Sequence, residues 1–244
     1  MNTLNQTGYA CMNPDVSPSS FTTCRLSNFD HKVHTFRLSK GDFELLQLVT
    51  ETWKKGQRPK MHYSQQAEGK QSGVHSSTID LYKFAEDYQH AYRYFDLDIM
   101  LKVKDKNRSF KKVDAFLNPS RRKLEEEWAA YKYLVMSKSY GDYTKIRHMF
   151  GNGREISAID FYHAVDICLQ KETSSKNLLN TFEHIRGYFK KSADRQEKAL
   201  LHKQIEGFRH SVYTERTVGK SLWRLAKKYD QTYLLNSYFL KQYI

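Results

Sequence analysis

His184 and Tyr188 stand four residues apart in the stretch Asn180-Thr-Phe-Glu-His-Ile-Arg-Gly-Tyr-Phe-Lys-Lys191. On a helix that spacing puts an imidazole and a phenol on one face, a turn apart. Such a pair can relay a proton, because imidazole changes charge near neutral pH and a phenol can share the transferred proton. Asn180, His184, Gly187 and Lys191 continue the same polar side at i, i+4, i+7 and i+11. A glycine there implies that a ligand or another backbone comes close, since it costs about 1 kcal/mol against alanine inside a helix. The candidate catalytic groups are therefore His184 and Tyr188. The candidate ligand-binding set is Asn180, His184, Gly187, Tyr188, Lys190, Lys191 and Arg209. The bland alternative is a half-buried histidine bonded to a neighbouring helix. It has the advantage that no carboxylate-plus-nucleophile set accompanies His184, and Glu183 points about 100° away from it.

Other chemistry has less support. His163 and Asp166 are three apart, a spacing used in di-iron bundles, but the required Glu-x-x-His repeat is absent. His31 and His34 precede a predicted strand, where i and i+3 face opposite ways. Cys11, Cys24 and Cys168 are odd in number and widely spaced, with no CxxC. That pattern fits a reducing cytoplasm rather than a disulfide framework, and no metal site is expected. No Walker loop, GxGxxG, GxSxG or HExxH motif occurs, so the sequence assigns no cofactor.

The charge balance points to a class of partner. The chain has 40 basic and 27 acidic residues, a net charge of +13. From Ser120 onward there are 23 Lys/Arg and 14 Asp/Glu, so 9 of the 13 surplus charges lie in the second half. Lys190, Lys191, Arg195, Lys198, Arg209, Arg216, Lys220, Arg224, Lys227 and Lys228 crowd this half, interleaved with tyrosine and phenylalanine. Cations with aromatics suit single-stranded DNA or RNA, or a nucleotide-like ligand. The competing reading is an ordinary solvated helix face, with the 17 tyrosines and 14 phenylalanines mainly packing.

These residues need helices to position them. The apolar set Leu178, Phe182, Ile185 and Phe189 predicts a helix from about Ser174 to Lys191 with one buried stripe. Further helices are predicted over about 120–139, 142–150 and 155–171, from the capping-box start Asp194…Glu197, around Val218–Tyr229, and over Tyr233–Tyr243. Asn118-Pro119 marks a domain boundary. Ahead of it, 1–30 reads as a flexible tail, 31–118 as a smaller α or α+β region, and 57–78 within it as a mobile loop. A short strand is expected over Lys32–Leu38 and helices over 41–55 and 78–95. Asp96–Val103 fits strand or helix, and Lys102–Lys112 reads as a solvated basic run, with a phosphate contact as the alternative. The fold class is mainly α. No run of 18 apolar residues exists, so no membrane span is expected, and 1–20 lacks the apolar core of a signal peptide.

Three blocks resemble the YbgA-like family, a bacterial domain of unknown function. They are Trp128 with Tyr131-Lys-Tyr-Leu-Val-Met-Ser-Lys-Ser139 and Tyr143; Asn180, His184, Gly187-Tyr-Phe-Lys190 and Glu197-Lys198; and Arg209, Tyr233-Leu234, Tyr238 and Gln242-Tyr243. The resemblance covers about 120–244. Tyr131 stands where that family usually has histidine, and Ser137-Lys138 where it has Ala-His. Members are often joined to a domain resembling thiouracil desulfidases or encoded near a photolyase. The clustered cysteines of the former are missing from 1–118, which shows no recognised motif. What the resemblance and the charge imply together is an accessory module that binds nucleic acid or a nucleotide-derived ligand. The alternatives are an enzyme acting on nucleobases or modified nucleosides through His184 and Tyr188, and an adaptor whose aromatic grooves receive a protein partner.

Overall fold

The computed structural model describes residues 4–5, 23–24, 33–34, 61–64, 76–91, 99–151, 153 and 155–244. The chain divides into two compact units, Met1–Pro119 and Ser120–Ile244. The fold is mainly α. Most of the tail expected over 1–30, the helix expected over 41–55 and most of the loop expected over 57–78 lie outside the described residues.

In the first unit, strand β5 (Ile99–Lys102) is central. It pairs in parallel with β1 (Leu4–Asn5) on one side and β4 (Met61–Ser64) on the other. Parallel neighbours need a crossover, and α1 (Leu81–Ala91) lies between β4 and β5 in the chain, making a βαβ unit that α2 (Lys106–Leu117) follows. β2 (Thr23–Cys24) and β3 (Val33–His34) pair antiparallel. The stretch expected as a loop over 57–78 thus contains strand β4, and its end is tied down. The Lys104 and Asp105 amides donate to the Ser76 and Ser77 carbonyls at 3.2 and 2.8 Å.

In Lys102–Lys112 the solvated run holds for Lys104 and Lys111, which are exposed, but not for Lys112. Most of it is helix α2, and Lys112 is fully buried. Its ammonium donates to the Ile79 carbonyl at 2.9 Å and the Thr78 hydroxyl at 3.3 Å. An unpaired buried ammonium would be expelled or deprotonated, so these oxygens are what allow it to stay inside. Ser109 completes the junction by accepting from the Ile79 amide at 3.0 Å and donating to the Asp105 carbonyl at 2.8 Å.

The second unit packs around α3 (Arg121–Lys138), which touches α4 (Tyr140–Met149), α5 (Ala158–Leu169) and α6 (Ser175–Arg186). The helix α7 (Arg195–Arg209) packs on α6 and on α8 (Glu215–Lys228). A side chain caps the N-termini of α4 to α8: Ser139, Ser157, Ser174, Asp194 and Thr214. Asp194 forms the expected capping box, with reciprocal bonds to Glu197 of 2.8 and 3.0 Å.

Much of the aromatic content packs this unit. A chain of touching rings runs Tyr140, Tyr143, Trp128, Phe150, Phe161, Tyr162, Tyr131, Tyr238. Inside it sits the buried carboxylate of Glu127, which accepts from the Tyr238 hydroxyl at 3.3 Å and faces the Tyr162 hydroxyl.

The last segment departs from expectation. In place of one helix over Tyr233–Tyr243 there are a single turn, α9 (Thr232–Leu235), and a 3-10 turn at Leu240–Tyr243. The break has a packing cause. The Tyr238 amide leaves the helical ladder to donate to the Ala130 carbonyl of α3 at 2.9 Å, and Ser237, Phe239 and Leu240 are buried. Tyr243 then lies across Gly219 of α8, where a Cβ would stand 2.5 Å from its ring, and its hydroxyl donates to Glu215 at 2.6 Å.

Candidate nucleic-acid interface

Helix α6 buries Leu178, Phe182 and Ile185, and the 3-10 turn Gly187–Phe189 that follows buries Phe189. This is the expected apolar stripe, although the α-helix ends at Arg186 rather than Lys191. On the other side, His184, Tyr188, Lys190 and Lys191 are exposed and Asn180 is half-buried. Arg209, at the end of α7, is exposed and paired with Glu206 at 3.2 Å.

At Gly187 the expected approach of another backbone does not occur. No backbone or side chain approaches it: a Cβ there would meet nothing within 4 Å, and its φ of −53° is ordinary helix. The fold does not require glycine at this position. Nor does the Tyr188 hydroxyl bond to His184. It is joined to Tyr133 at 3.0 Å, while His184 makes no hydrogen bond within the described residues.

The structure instead assembles Tyr188 with residues far away in sequence. Tyr188 stacks on Tyr233 of α9, with ring centroids 5.9 Å apart and planes within 11°. Tyr133 of α3 meets Tyr188 edge-on at 6.4 Å. The Lys132 ammonium sits 4.8 Å from the centre of the Tyr133 ring and 5.1 Å from that of Tyr233, within cation–π range of both. Tyr133 is only 2% exposed, whereas Tyr188 and Tyr233 are 37% and 39% exposed. Burial raises the Tyr133 phenol far above its ordinary value, helped by its bond to Tyr188, and burial raises Tyr233 as well. The Tyr133 and Tyr233 phenols therefore stay neutral at physiological pH. Lys132, Tyr133 and Tyr233 fall outside the candidate set drawn from the 180–191 stretch. Their signal was a sequence pattern of Tyr and Lys at 131–133 and 233 that only tertiary contact joins to Tyr188.

The cations also sort themselves. Lys228 donates to Glu197 at 2.6 Å, and the same carboxylate receives the Tyr229 hydroxyl at 2.5 Å. These partners hold the Glu197 carboxyl down at about 2, the Lys228 bond contributing most. Glu215, the first residue of α8, accepts from the Tyr243 hydroxyl. That leaves Arg216, Lys220, Arg224 and Lys227, spaced 4, 4 and 3 along one side of α8, all exposed and with no ion pair among the described residues. Successive members at i and i+4 are about 6 Å apart along the axis. Arg195, Lys198 and Lys203 of α7 are exposed as well. Among the described residues no group of three His, Cys, Asp or Glu could hold a metal ion, and no helix is long and apolar enough to cross a membrane. His163 is exposed on α5 and Asp166 half-buried.

Two family models match the chain. The one for a protein family of unknown function, DUF1722, matches 132–243, within the helical unit. The UV-endonuclease UvdE model matches 28–117, where no motif was recognised in the sequence. A UV DNA damage endonuclease of Clostridium perfringens (strain 13 / Type A) is 30% identical over 195 residues, which are 76% of this chain and 42% of that protein. A putative UV-damage endonuclease of Acanthamoeba polyphaga mimivirus is 37% identical over 76 residues, 29% of this chain and 22% of that protein. No solved structure matches. The chain thus matches the UvdE model within its first unit and a family without assigned function within its second, is similar to a UV DNA damage endonuclease over most of its length, and spans less than half the length of either relative.

Proposed function

We propose that the helical unit is a DNA-holding module of a UV-damage-endonuclease-like protein, and that α8 is its contact with the phosphate backbone. The observation that carries this is the exposed stripe Arg216, Lys220, Arg224 and Lys227, which makes no ion pair among the described residues, while Glu215 and Glu197 are bonded to Tyr243 and to Tyr229 and Lys228. A row of cations without internal partners holds condensed or free anions in solution, and a polyanion gains by releasing its own counterions when it takes their place. The similarity to a UV DNA damage endonuclease across 76% of the chain supports DNA as the polyanion.

Fluorescence anisotropy of a labelled DNA oligomer titrated with the full chain tests it. Four phosphate contacts give a slope of log K against log salt of about −3 to −4. Replacing the four stripe residues by glutamine should reduce the steepness toward that of residual contacts, by about 1 per residue. An affinity indifferent to salt, or a quadruple variant with an unchanged slope, refutes the assignment of α8. His184→Ala should leave the slope unaltered, because His184 is not part of the stripe.

A further inference from the structure

The exposed tyrosines are a separate matter from the charge. Most rings of the helical unit are packed inside it, yet Tyr188 and Tyr233 are presented together at the surface, stacked with their planes nearly parallel. Single exposed aromatics are common and need no explanation. A stacked pair that is also braced from beneath is different. The buried Tyr133 fixes the Tyr188 hydroxyl, and the Lys132 ammonium bridges the faces of Tyr133 and Tyr233. The pair therefore loses little rotamer freedom when something settles on it, which is the main penalty for using long aromatic side chains as a binding surface.

The occupant must have a flat π face of its own. It must also tolerate cations, because Lys190 and Lys191 are exposed two and three residues beyond Tyr188 and Lys132 lies beside Tyr233. A nucleobase carrying its phosphate meets both demands, since every base has a π face and stacking on tyrosine is indifferent to sequence. Bases inside a duplex have both faces covered by their neighbours. We infer that Tyr188 and Tyr233, braced by Tyr133 and Lys132, form a stacking shelf for an unstacked nucleobase, one in a single strand or turned out of a duplex. This rests on the DNA-binding reading above and adds to it the form of DNA that is preferred.

The test uses the full chain with two probes at one salt concentration: a single-stranded 12-mer carrying one 2-aminopurine, and the same strand annealed to its complement. The unaltered chain should bind the single strand more tightly and change the 2-aminopurine fluorescence. Tyr233→Leu and Tyr188→Leu, which keep bulk but lose the π face, should each weaken single-strand binding about tenfold. Neither should change duplex affinity by more than about twofold or alter the salt slope, because the phosphate contacts remain. Tyr233→Phe should bind as the unaltered chain does. It keeps the ring; Tyr188→Phe, which keeps its ring and loses only the bond to Tyr133, should do the same and separates the lost bond from the lost π face. Leucine variants that bind the single strand normally overturn the shelf and leave the α8 reading standing, as do variants that lose both probes equally while folded. If the unaltered chain binds neither probe at low salt, both proposals fail.

Discussion

Gly187 and Gly219 permit one substitution to be read twice. Both have helical backbone in the second unit, so Gly→Ala reduces backbone freedom in the unfolded chain in the same way and gains up to about 1 kcal/mol at each. At Gly187 the new methyl meets nothing within 4 Å, so the gain stands, at about 0.5 kcal/mol because the residue lies at the helix end. At Gly219 the methyl would stand 2.5 Å from two carbons of the Tyr243 ring and 2.6 Å from a third. Carbon atoms want about 3.5–4.0 Å, so the ring must retreat by about 1 Å or leave. Overpacking of that kind costs about 1–3 kcal/mol, and a displaced ring also weakens the Tyr243–Glu215 bond, worth about 1 kcal/mol. The net loss at Gly219 is about 1–3 kcal/mol against a small gain at Gly187. For a unit of this size each kcal/mol moves Tm by about 4 °C, so the two variants should melt about 10 °C apart. Circular dichroism at the helical minimum, followed against temperature, measures this. Two alanine variants shifted in the same direction by similar amounts would refute the steric argument and leave only propensity.

Three further expectations are quick to check. The Glu197 carboxyl lies at about 2, against an ordinary 4.5, chiefly through Lys228 and then Tyr229. A depressed carboxyl stabilises the fold above its unfolded value and loses that contribution as pH falls from about 4.5 to 2. The Tm advantage of the unaltered chain over Glu197→Gln should therefore shrink across that window and vanish at its lower end; an advantage that persists there would show the pair is not responsible. Cys168 is buried, which pushes its thiol up to about 12 with Asp142 assisting. At pH 8 it should carry about a thousandfold less thiolate than an ordinary cysteine, so peptide mapping after iodoacetamide treatment should find it unlabelled until the chain is denatured. Glu127→Ala strips the buried Tyr238 hydroxyl of its acceptor and should cost about 1–3 kcal/mol in chemical denaturation, with Glu127→Gln recovering part of it. Equal losses for the two would mean that volume, not hydrogen bonding, matters there.

The helices of the second unit were legible because each carries its own periodicity and cap. Leu178, Phe182, Ile185 and Phe189 declare a buried stripe without help from any other segment, and Asp194 with Glu197 announces a start. What depends on distant partners was not legible. Tyr133 and Tyr188 are 55 positions apart, and nothing local says their hydroxyls meet. The ten cations of the C-terminal helices look alike in sequence. Only the structure shows that Lys228 and Arg209 have acids of their own while four along α8 do not. Gly187 and Gly219 show the limit most clearly: the helical pattern singles out the first for close approach by another backbone, and it is the second against which a side chain lies. In the first unit, Met61–Ser64 lacks a strong pattern because a four-residue parallel strand takes its identity from its neighbours, and Lys112 reads as surface until its oxygen partners at 78 and 79 are seen.

The docking of Tyr238 onto Ala130 and Glu127 has a bearing on how the polypeptide matures. Helix α3 leaves the ribosome more than a hundred residues before its cover does, and until then Glu127 and the rings beside it face water. The helical unit therefore cannot close during synthesis from its own early portion; it must wait for residues 237–243. A nascent chain stalled short of that point should remain open to protease within α3. Reporters fused after Ile244, which is itself exposed, should be tolerated.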